Sequence, residues 1–318
     1  MQLQTILAKF VINHPHMSAT RFEMGKEVIV EFKGHSGWVT SVCVSPDGQH
    51  VVTGSDDSTA RMWSMEDGTK VRELKGHSEE VTSVCMSPDG KHVVTGSRDK
   101  TARVWTTADG TKVRELNGHS GWVRSVCMSP DGQHVVTGSS DNTARVWSMN
   151  DGAMVRELTG HSGYVLSVCV SPDGKHVVTG SYDNTARVWS MNDGAMVSEL
   201  KGHSGGVVSV CMSPDGKHVV TGSYDKTARV WSMEEKLAMV RELKRHSGWV
   251  MSVCVSPDSQ HVVTGSNDNK AVVWSMTDGG IMRELKGHSN GVASVCMSPD
   301  GKHVVTGSYD KTARAWSM

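Results

Sequence analysis

Residues 117–158 read NGHSGWVRSVCMSPDGQHVVTGSSDNTARVWSMNDGAMVREL, and the next 42 residues repeat this stretch with only seven substitutions. The histidine that opens the stretch, His119, has counterparts along the whole chain at spacings of 42 or 43 residues. The seven histidines of this row are His35, His77, His119, His161, His203, His246 and His288. Six of them follow a glycine, and His246 follows Arg245. A fixed period of about 40 residues indicates a repeat architecture in which each unit is one supersecondary element.

Each unit predicts four short antiparallel strands. Apolar residues alternate in short runs bounded by turn residues, and no run has helical periodicity. In the first unit the predicted strands are Trp38 to Val44, His50 to Gly54, Thr59 to Ser64 and Lys70 to Lys75. A Ser-Pro-Asp turn joins the first two, because proline presets the φ angle of a type I turn. One such sheet cannot bury both faces, so seven units stacked radially predict an all-β, seven-bladed β-propeller with four antiparallel strands per blade.

The two ends of the chain are predicted to share one blade. The seventh unit stops at Met318 after its third strand, and Glu27 to Lys33 precede the first Gly-His as Thr69 to Lys75 precede the second. We therefore expect an N-terminal strand to complete the last blade and close the ring. Residues 25–318 are predicted to form a single propeller, with residues 1–24 as an N-terminal leader outside the repeat. The leader has a weak amphipathic-helix spacing, and a disordered leader, a packed leader and a partner helix all stay open.

Composition and charge restrict the class of function. The 318 residues are 37% apolar and include 33 glycines, which is ordinary for a globular chain with a core. Lys plus Arg number 33 and Asp plus Glu number 34, so the net charge of -1 favours neither nucleic acid nor a membrane as partner. No apolar run approaches the ~20 residues of a membrane span. The odd count of seven cysteines and the absence of Asn-x-Ser/Thr predict a reducing, cytoplasmic location.

The repeat resembles the WD-repeat propeller family over residues 25–318. The Gly-His that opens each unit and the Trp that closes it carry the resemblance, although Ser follows this Trp in six units and Thr in one, where the family has Asp. The resemblance implies a structural tetrad of His, Thr, Asp and Trp in every unit. The implied tetrads are His35, Thr53, Asp57, Trp63; His77, Thr95, Asp99, Trp105; His119, Thr137, Asp141, Trp147; His161, Thr179, Asp183, Trp189; His203, Thr221, Asp225, Trp231; His246, Thr264, Asp268, Trp274; and His288, Thr306, Asp310, Trp316.

A hydroxyl, a histidine and a carboxylate together could also indicate a catalytic set. An active site needs one asymmetric pocket, whereas this constellation recurs seven times, so we predict a structural role and no enzymatic activity, cofactor or metal. A second row of histidines falls on different blades and predicts strand residues rather than metal ligands: His50, His92, His134, His176, His218, His261 and His303. The cysteines occupy one repeated position and are predicted to be buried small hydrophobic residues.

Three positions of the repeat vary between copies that are otherwise nearly identical. They flank the start of the first strand and precede the tetrad Asp, and the resemblance places them around the mouth of the central channel, where family members commonly contact partners. Every Tyr, and every Trp outside the tetrads, occupies one of these positions, and both residue types are enriched in interface hot spots. We call the predicted partner-binding residues the channel-mouth face: Trp38, Asp56, Glu80, Arg98, Trp122, Arg124, Tyr164, Leu166, Tyr182, Tyr224, Trp249, Met251 and Tyr309.

The leading hypothesis is a non-enzymatic, monomeric scaffold that binds a protein or peptide on this face, centred on Trp122, Tyr164, Tyr182 and Tyr224. Carbohydrate binding is an alternative, because aromatic faces flanked by Asp, Asn and Arg also suit sugars. A third hypothesis is a designed or recently amplified propeller without a selected ligand, because the repeats of an old natural propeller should have diverged further. The aromatic side chains themselves have an alternative role, which is to stack against neighbouring loops and cover the channel.

Overall fold

Seven four-stranded antiparallel sheets make up the described part of the chain in the computed structural model, residues 28–234 and 238–318. Every regular element in these residues is a strand, and none is a helix that could span a membrane. Each sheet is one blade, and the first strands of consecutive blades contact one another around a closed ring. The prediction of a seven-bladed propeller is confirmed.

Within a blade, the four strands pair in order from the channel to the rim. The inner strands are Val39–Val44, Val81–Met86, Val123–Met128, Val165–Val170, Val207–Met212, Val250–Val255 and Val292–Met297. The second strands are His50–Ser55, His92–Ser97, His134–Ser139, His176–Ser181, His218–Ser223, His261–Ser266 and His303–Ser308. The third strands are Thr59–Ser64, Ala102–Thr106, Ala144–Ser148, Ala186–Ser190, Thr227–Ser232, Lys270–Ser275 and Thr312–Ser317. The outer strands are Lys70–Lys75, Lys112–Leu116, Met154–Leu158, Met196–Leu200, Met239–Lys244, Ile281–Lys286 and, for the seventh blade, Val28–Lys33.

The seventh blade is closed by the N-terminal strand, as predicted. Val28–Lys33 pairs antiparallel with Thr312–Ser317, and both Nε and Nη2 of Arg314 donate to Oε1 of Glu31, at 3.2 and 3.1 Å. Phe32 of this strand is only 1% exposed and lies against Trp63 of the first blade, with the ring centroids 6.1 Å apart. The strand therefore completes both the sheet and the core between the last and first blades. The predicted leader, residues 1–24, lies outside the described residues.

Neighbouring blades are joined at the channel by a ring of serine hydroxyls. Ser41 on the first inner strand accepts a hydrogen bond from the backbone N–H of Val84 on the next blade, and the six other blades repeat this contact, at 3.0 to 3.1 Å throughout. The last contact runs from Val42 to Ser294 and closes the circle. Each satisfies a backbone donor away from bulk water, a net contribution of about 0.5–1.5 kcal/mol.

The glycine of each Val-Val-Thr-Gly-Ser run lets neighbouring blades approach closely. A Cβ atom at Gly54 would lie 2.9 Å from Cγ1 of Val81 and 3.0 Å from Cγ1 of Val84, both on the following blade. Real Cβ atoms do not come this close, so a larger residue would force the blades apart. The run repeats in every unit because every blade junction has the same packing.

At two positions the sixth blade differs from the others, but the glutamate of its outer strand still pairs with an arginine. In the first blade, Arg61 covers Gly34 and pairs with Glu73 at 2.9 Å, and a Cβ at Gly34 would lie 3.0 Å from the guanidinium. The sixth blade has Val272 in place of that arginine and Arg245 in place of the glycine. Arg245 then donates from Nε to Glu284 at 3.2 Å, so the carboxylate keeps an arginine partner.

Candidate partner-binding face

The four residues of each implied tetrad form one hydrogen-bonded chain. In the third blade, the indole N–H of Trp147 donates to Oγ1 of Thr137 at 2.8 Å, the threonine hydroxyl lies 2.7 Å from Nε2 of His119, and Nδ1 of His119 lies 2.7 Å from Asp141. All polar atoms are satisfied when Thr137 donates to Nε2 and Nδ1–H donates to the carboxylate. The other six blades have the same chain, and their His–Asp distances range from 2.6 to 2.9 Å.

The tetrad carboxylates are held in the charged form. Burial alone would raise the pKa of Asp141, but hydrogen bonds from His119 and Thr143 outweigh it and hold this pKa well below its usual range. Burial lowers the pKa of His161, against the opposing effect of Asp183. A neutral histidine locked between a hydroxyl and a carboxylate has its lone pair occupied, so this arrangement stabilises buried polar groups and offers no free base.

The second histidine row and the cysteines lie apart from any metal geometry. No group of three or more potential metal ligands occurs in residues 28–234 and 238–318. The row-two histidines are half-buried beside the Ser-Pro-Asp turns, where clefts of about 400 Å³ recur between blades, as around Asp89, His92 and Arg114. The cysteines are all free, and they are half-buried rather than buried as predicted. Burial of the thiol group raises the pKa of Cys43 and Cys254 to about 12, which disfavours the reactive thiolate.

The varied positions meet in pairs, one pair per blade. The backbone N–H of the residue before the tetrad Asp donates to the carbonyl of the residue before the inner strand, at 2.8 to 3.0 Å in every blade. The pairs are Asp56 with Trp38, Arg98 with Glu80, Ser140 with Trp122, Tyr182 with Tyr164, Tyr224 with Gly206, Asn267 with Trp249, and Tyr309 with Gly291. The inner strand begins at Val39 rather than at the predicted Trp38. Seven different residue pairs therefore share one backbone geometry.

The third varied position lies at a β-bulge. The pairing register shifts between Val39 and Ser41, and again at the same point of every inner strand. A bulged residue has no ladder partner, and its side chain is re-aimed. In the first two blades the bulge threonine hydroxyl donates to a backbone carbonyl of the next blade, Thr40 to Val81 at 2.6 Å and Thr82 to Val123 at 2.5 Å. In other blades the same position carries the half-buried side chains of Arg124, Leu166 and Met251.

Five aromatic side chains on this face are exposed. Trp38, Trp122, Tyr164, Tyr182 and Trp249 have 40 to 58% of their surface accessible, and in the described residues no other aromatic side chain is so exposed. Tyr182 links two neighbours, with ring centroids 6.2 Å from Tyr164 and 6.2 Å from Tyr224. The aromatic rings therefore form a continuous arc over the fourth to sixth blades.

Two tyrosines fold inward over glycines. A Cβ at Gly206 would lie 3.2 Å from the ring of Tyr224, and a Cβ at Gly291 would lie 3.1 Å from the ring of Tyr309. Both tyrosines are half-buried, and burial raises the pKa of Tyr309 to about 12. Their rings also pack against a tryptophan of the next blade, Tyr224 on Trp249 at 4.8 Å. These two rings therefore stack against neighbouring residues, as the alternative role expects.

Charged residues cluster on the second and third blades. Arg98 donates from Nη1 to Glu80 at 3.0 Å, while Arg124 donates from Nε to the hydroxyl of Ser140 at 2.8 Å. Both guanidinium carbons lie over the ring of Trp122, 4.8 Å from its centroid for Arg98 and 4.6 Å for Arg124. A tryptophan face attracts cations within about 6 Å. Trp122 therefore orients two arginines at the channel mouth.

Comparison with known proteins supports the assignment of the fold. The family model described as "WD domain, G-beta repeat" matches the chain seven times, over residues 26–64, 68–106, 110–148, 152–190, 194–232, 238–275 and 279–317. The chain belongs to the WD-repeat family. WD-repeat propellers are in general non-enzymatic scaffolds that mediate protein–protein interaction.

The curated relatives of this WD-repeat protein match over single repeats. Nuclear distribution protein PAC1 of Candida albicans is 50% identical over 38 residues, which is 12% of this chain and 8% of the relative. Pre-mRNA-splicing factor PRP46 of Yarrowia lipolytica is 45% identical over 42 residues, 13% of this chain and 10% of the relative. Human WD repeat-containing protein 86 is 53% identical over 34 residues, 11% of this chain and 9% of the relative. The similarity covers about one repeat in each of these relatives.

Several contacts of the WD-repeat propeller could not be predicted from the sequence. The serine ring and the contact of Arg98 with Trp122 depend on residues from neighbouring blades, and the repeat pattern does not say which residues face across a junction. Two correlated differences between the units nevertheless point to such contacts. Each unit with Gly before the inner strand has Tyr before its tetrad Asp, and the one unit with Arg245 lacks the third-strand arginine.

Proposed function

We propose that this WD-repeat propeller is a non-enzymatic scaffold that binds a protein or peptide on its channel-mouth face. The exposure of five aromatic side chains on this one face carries the proposal. Aromatic residues supply large, stiff contact area, and a folded monomer gains nothing from exposing them together. The seven free cysteines are compatible with a cytoplasmic setting.

The arrangement of the face favours an extended or helical protein segment. The aromatic arc over the fourth to sixth blades offers apolar contact, while the cluster around Trp122 offers charged hydrogen-bond donors. Protein–protein interfaces commonly have a few desolvated anchor residues surrounded by polar contacts, as this arrangement would provide. Two alternatives are that the face binds a carbohydrate, and that the propeller has no selected ligand.

Affinity capture with the full chain tests the proposal. The bait is compared with a variant that carries Trp122→Ala, Tyr164→Ala and Tyr182→Ala, three exposed residues whose loss should leave the melting temperature nearly unchanged. The matched control removes three exposed apolar side chains from outer strands: Val155→Ala, Met196→Ala and Val197→Ala. Proteins retained by the wild type and the control but lost by the aromatic variant support the proposal.

Three outcomes would overturn it. Retention of the same proteins by all three baits would place binding elsewhere on the propeller. Loss of the captured proteins from the outer-strand control alone would show that the binding surface lies on the outer strands. Glycan-array binding that disappears with Trp122→Ala, in the absence of a protein partner, would favour the carbohydrate alternative.

A further inference from the structure

The two arginines on Trp122 differ in their anionic partners. Arg98 pairs with the carboxylate of Glu80 at 3.0 Å, and Asp56 lies within electrostatic reach of both. Arg124 forms its one hydrogen bond with the neutral hydroxyl of Ser140. Among the described residues, the titratable groups that act on Arg124 are Arg98, Tyr164 and Tyr224, and none is a carboxylate. The negative charge of the channel mouth is therefore gathered on the Arg98 side.

Arg124 is a half-buried cation whose charge is not compensated. Burial lowers its pKa, and the like charge of Arg98 lowers it further. Contact with the face of Trp122 recovers part of the lost hydration, but the ring also serves Arg98. The terminal guanidinium nitrogens keep donor capacity, since Nε alone is used. A guanidinium of this kind is preorganised to donate two hydrogen bonds to one carboxylate.

We infer that Arg124 is the anion-recognition point of the channel-mouth face, and that the protein segment bound there presents an Asp or Glu side chain to it. The inference rests on the proposed function and names the chemistry of its partner. The carboxylate would lie between the guanidinium and the hydroxyls of Tyr164 and Tyr224, on the side of the channel mouth away from Asp56 and Glu80. Apolar residues on either side of it would pack on the aromatic arc.

The surrounding charges favour a single carboxylate on a peptide over a polyanion. Asp56 and Glu80 flank the cluster, and the chain as a whole has a net charge of -1. A nucleic-acid backbone would bring several phosphates against these two carboxylates, and like charges in close contact are destabilising. One acidic residue within an otherwise apolar segment meets the guanidinium without that cost.

A displayed library of random 12-residue peptides, selected against the full chain, tests the inference. We expect the enriched peptides to share one Asp or Glu flanked by apolar residues, and to bind Arg124→Gln about tenfold or more weakly, as the loss of a charge-assisted hydrogen bond implies. Replacing the shared acid by its amide should weaken binding to the wild type equally and leave binding to Arg124→Gln unchanged. Arg124→Glu, selected separately, should enrich Lys or Arg at the same place. Arg156→Gln, on an outer strand, is the control of equal charge change.

The outcomes separate this inference from the proposed function. Peptides that require Trp122 but have no shared acid and bind Arg124→Gln as well as the wild type would overturn the inference and leave the proposed function standing. Enriched peptides that bind Trp122→Ala and Arg124→Gln as well as the wild type would overturn both. Melting temperatures measured for all variants identify any loss that comes from unfolding, and equal losses in Arg156→Gln would reduce the effect to overall charge.

Discussion

The tetrads and the channel-mouth face use the same seven-fold framework in opposite ways. The tetrads repeat one geometry in every blade, with His–Thr distances of 2.7 to 2.8 Å. The channel-mouth face repeats one backbone contact but changes the side chains at each copy, from Trp38 and Asp56 to Gly291 and Tyr309. The difference shows how a symmetric ring acquires an asymmetric surface: the four tetrad residues stay constant, and the residues next to them in the sequence vary.

The two regions also differ in how they hold charge. The tetrad aspartates have pKa values below the usual range because each accepts several hydrogen bonds. Asp56, one residue before a tetrad Asp, has a raised pKa because burial disfavours its charge more than Arg98 favours it. As the pH falls, Asp56 is therefore neutralised before its neighbour Asp57.

Low pH should have the largest effect on stability, because it protonates the aspartates of all seven tetrads together. A folded-state pKa below the usual 3.8 means that the unfolded chain binds protons first, so this stabilisation is present above pH 3.8 and is lost as the pH falls through the folded pKa. Urea midpoints should fall steeply below about pH 4. Asp141→Asn should start from a lower stability and have a shallower slope. A flat profile down to about pH 2 would mean that the tetrad carboxylates do not stabilise the fold.

Phe32→Ala should have the next largest effect, at the one blade that is closed by a separate strand. The side chain is 1% exposed and fills the junction of the last and first blades, so its loss should cost about 3–5 kcal/mol in urea unfolding. Phe32→Leu is the matched control, since Leu74 and its counterparts occupy this position in the other blades. A cost near that of an exposed substitution would show that the seventh blade does not depend on this strand.

Asp141→Ala should cost about 1–3 kcal/mol, because it leaves the buried Nδ1–H of His119 without an acceptor. Asp99→Ala and Asp183→Ala should cost about the same, because these aspartates accept the same hydrogen bonds as Asp141. Asp268→Ala should cost less, since Lys270 replaces the threonine whose hydroxyl donates to this aspartate in other blades. Unequal costs among the first three, or lost peptide binding with stability retained, would assign the tetrads a role beyond support.

Tyr182→Ala should have the smallest effect on stability, within about 0.5 kcal/mol, because the ring is 58% exposed. Tyr224→Ala should cost more, since that ring is half-buried over Gly206 and against Trp249. Thermal and urea unfolding of the two variants distinguish an exposed ring from a covering one. Equal losses of stability in the two variants would show that the exposed and the half-buried tyrosines do not differ in their contribution to the fold.

The fold could be predicted almost entirely from the sequence, and the details of the candidate face could not. The period, the turn residues and the short alternating runs predict the four strands of the first unit to within one residue, for example Val39–Val44 where Trp38 to Val44 was expected. The family resemblance also implies which residues gather at one end of the ring. It does not predict that Tyr224 is half-buried while Tyr182 is 58% exposed, because this depends on contacts with other blades such as that of Tyr224 with Trp249. The contact of Arg98 with Trp122 likewise crosses between blades.

The closing strand also determines how the ring responds to force. Val28 pairs with Trp316 and Lys33 pairs with Thr312, so the two strands that leave the ring lie antiparallel and emerge at the same end of one sheet. The interstrand hydrogen bonds run perpendicular to the strands, so a pull on both termini loads them one after another, starting at Val28. Strands loaded in this way unzip rather than shear. The ring should therefore open at its seventh blade under a low force, while the other six blades, whose strands are joined by turns, stay folded.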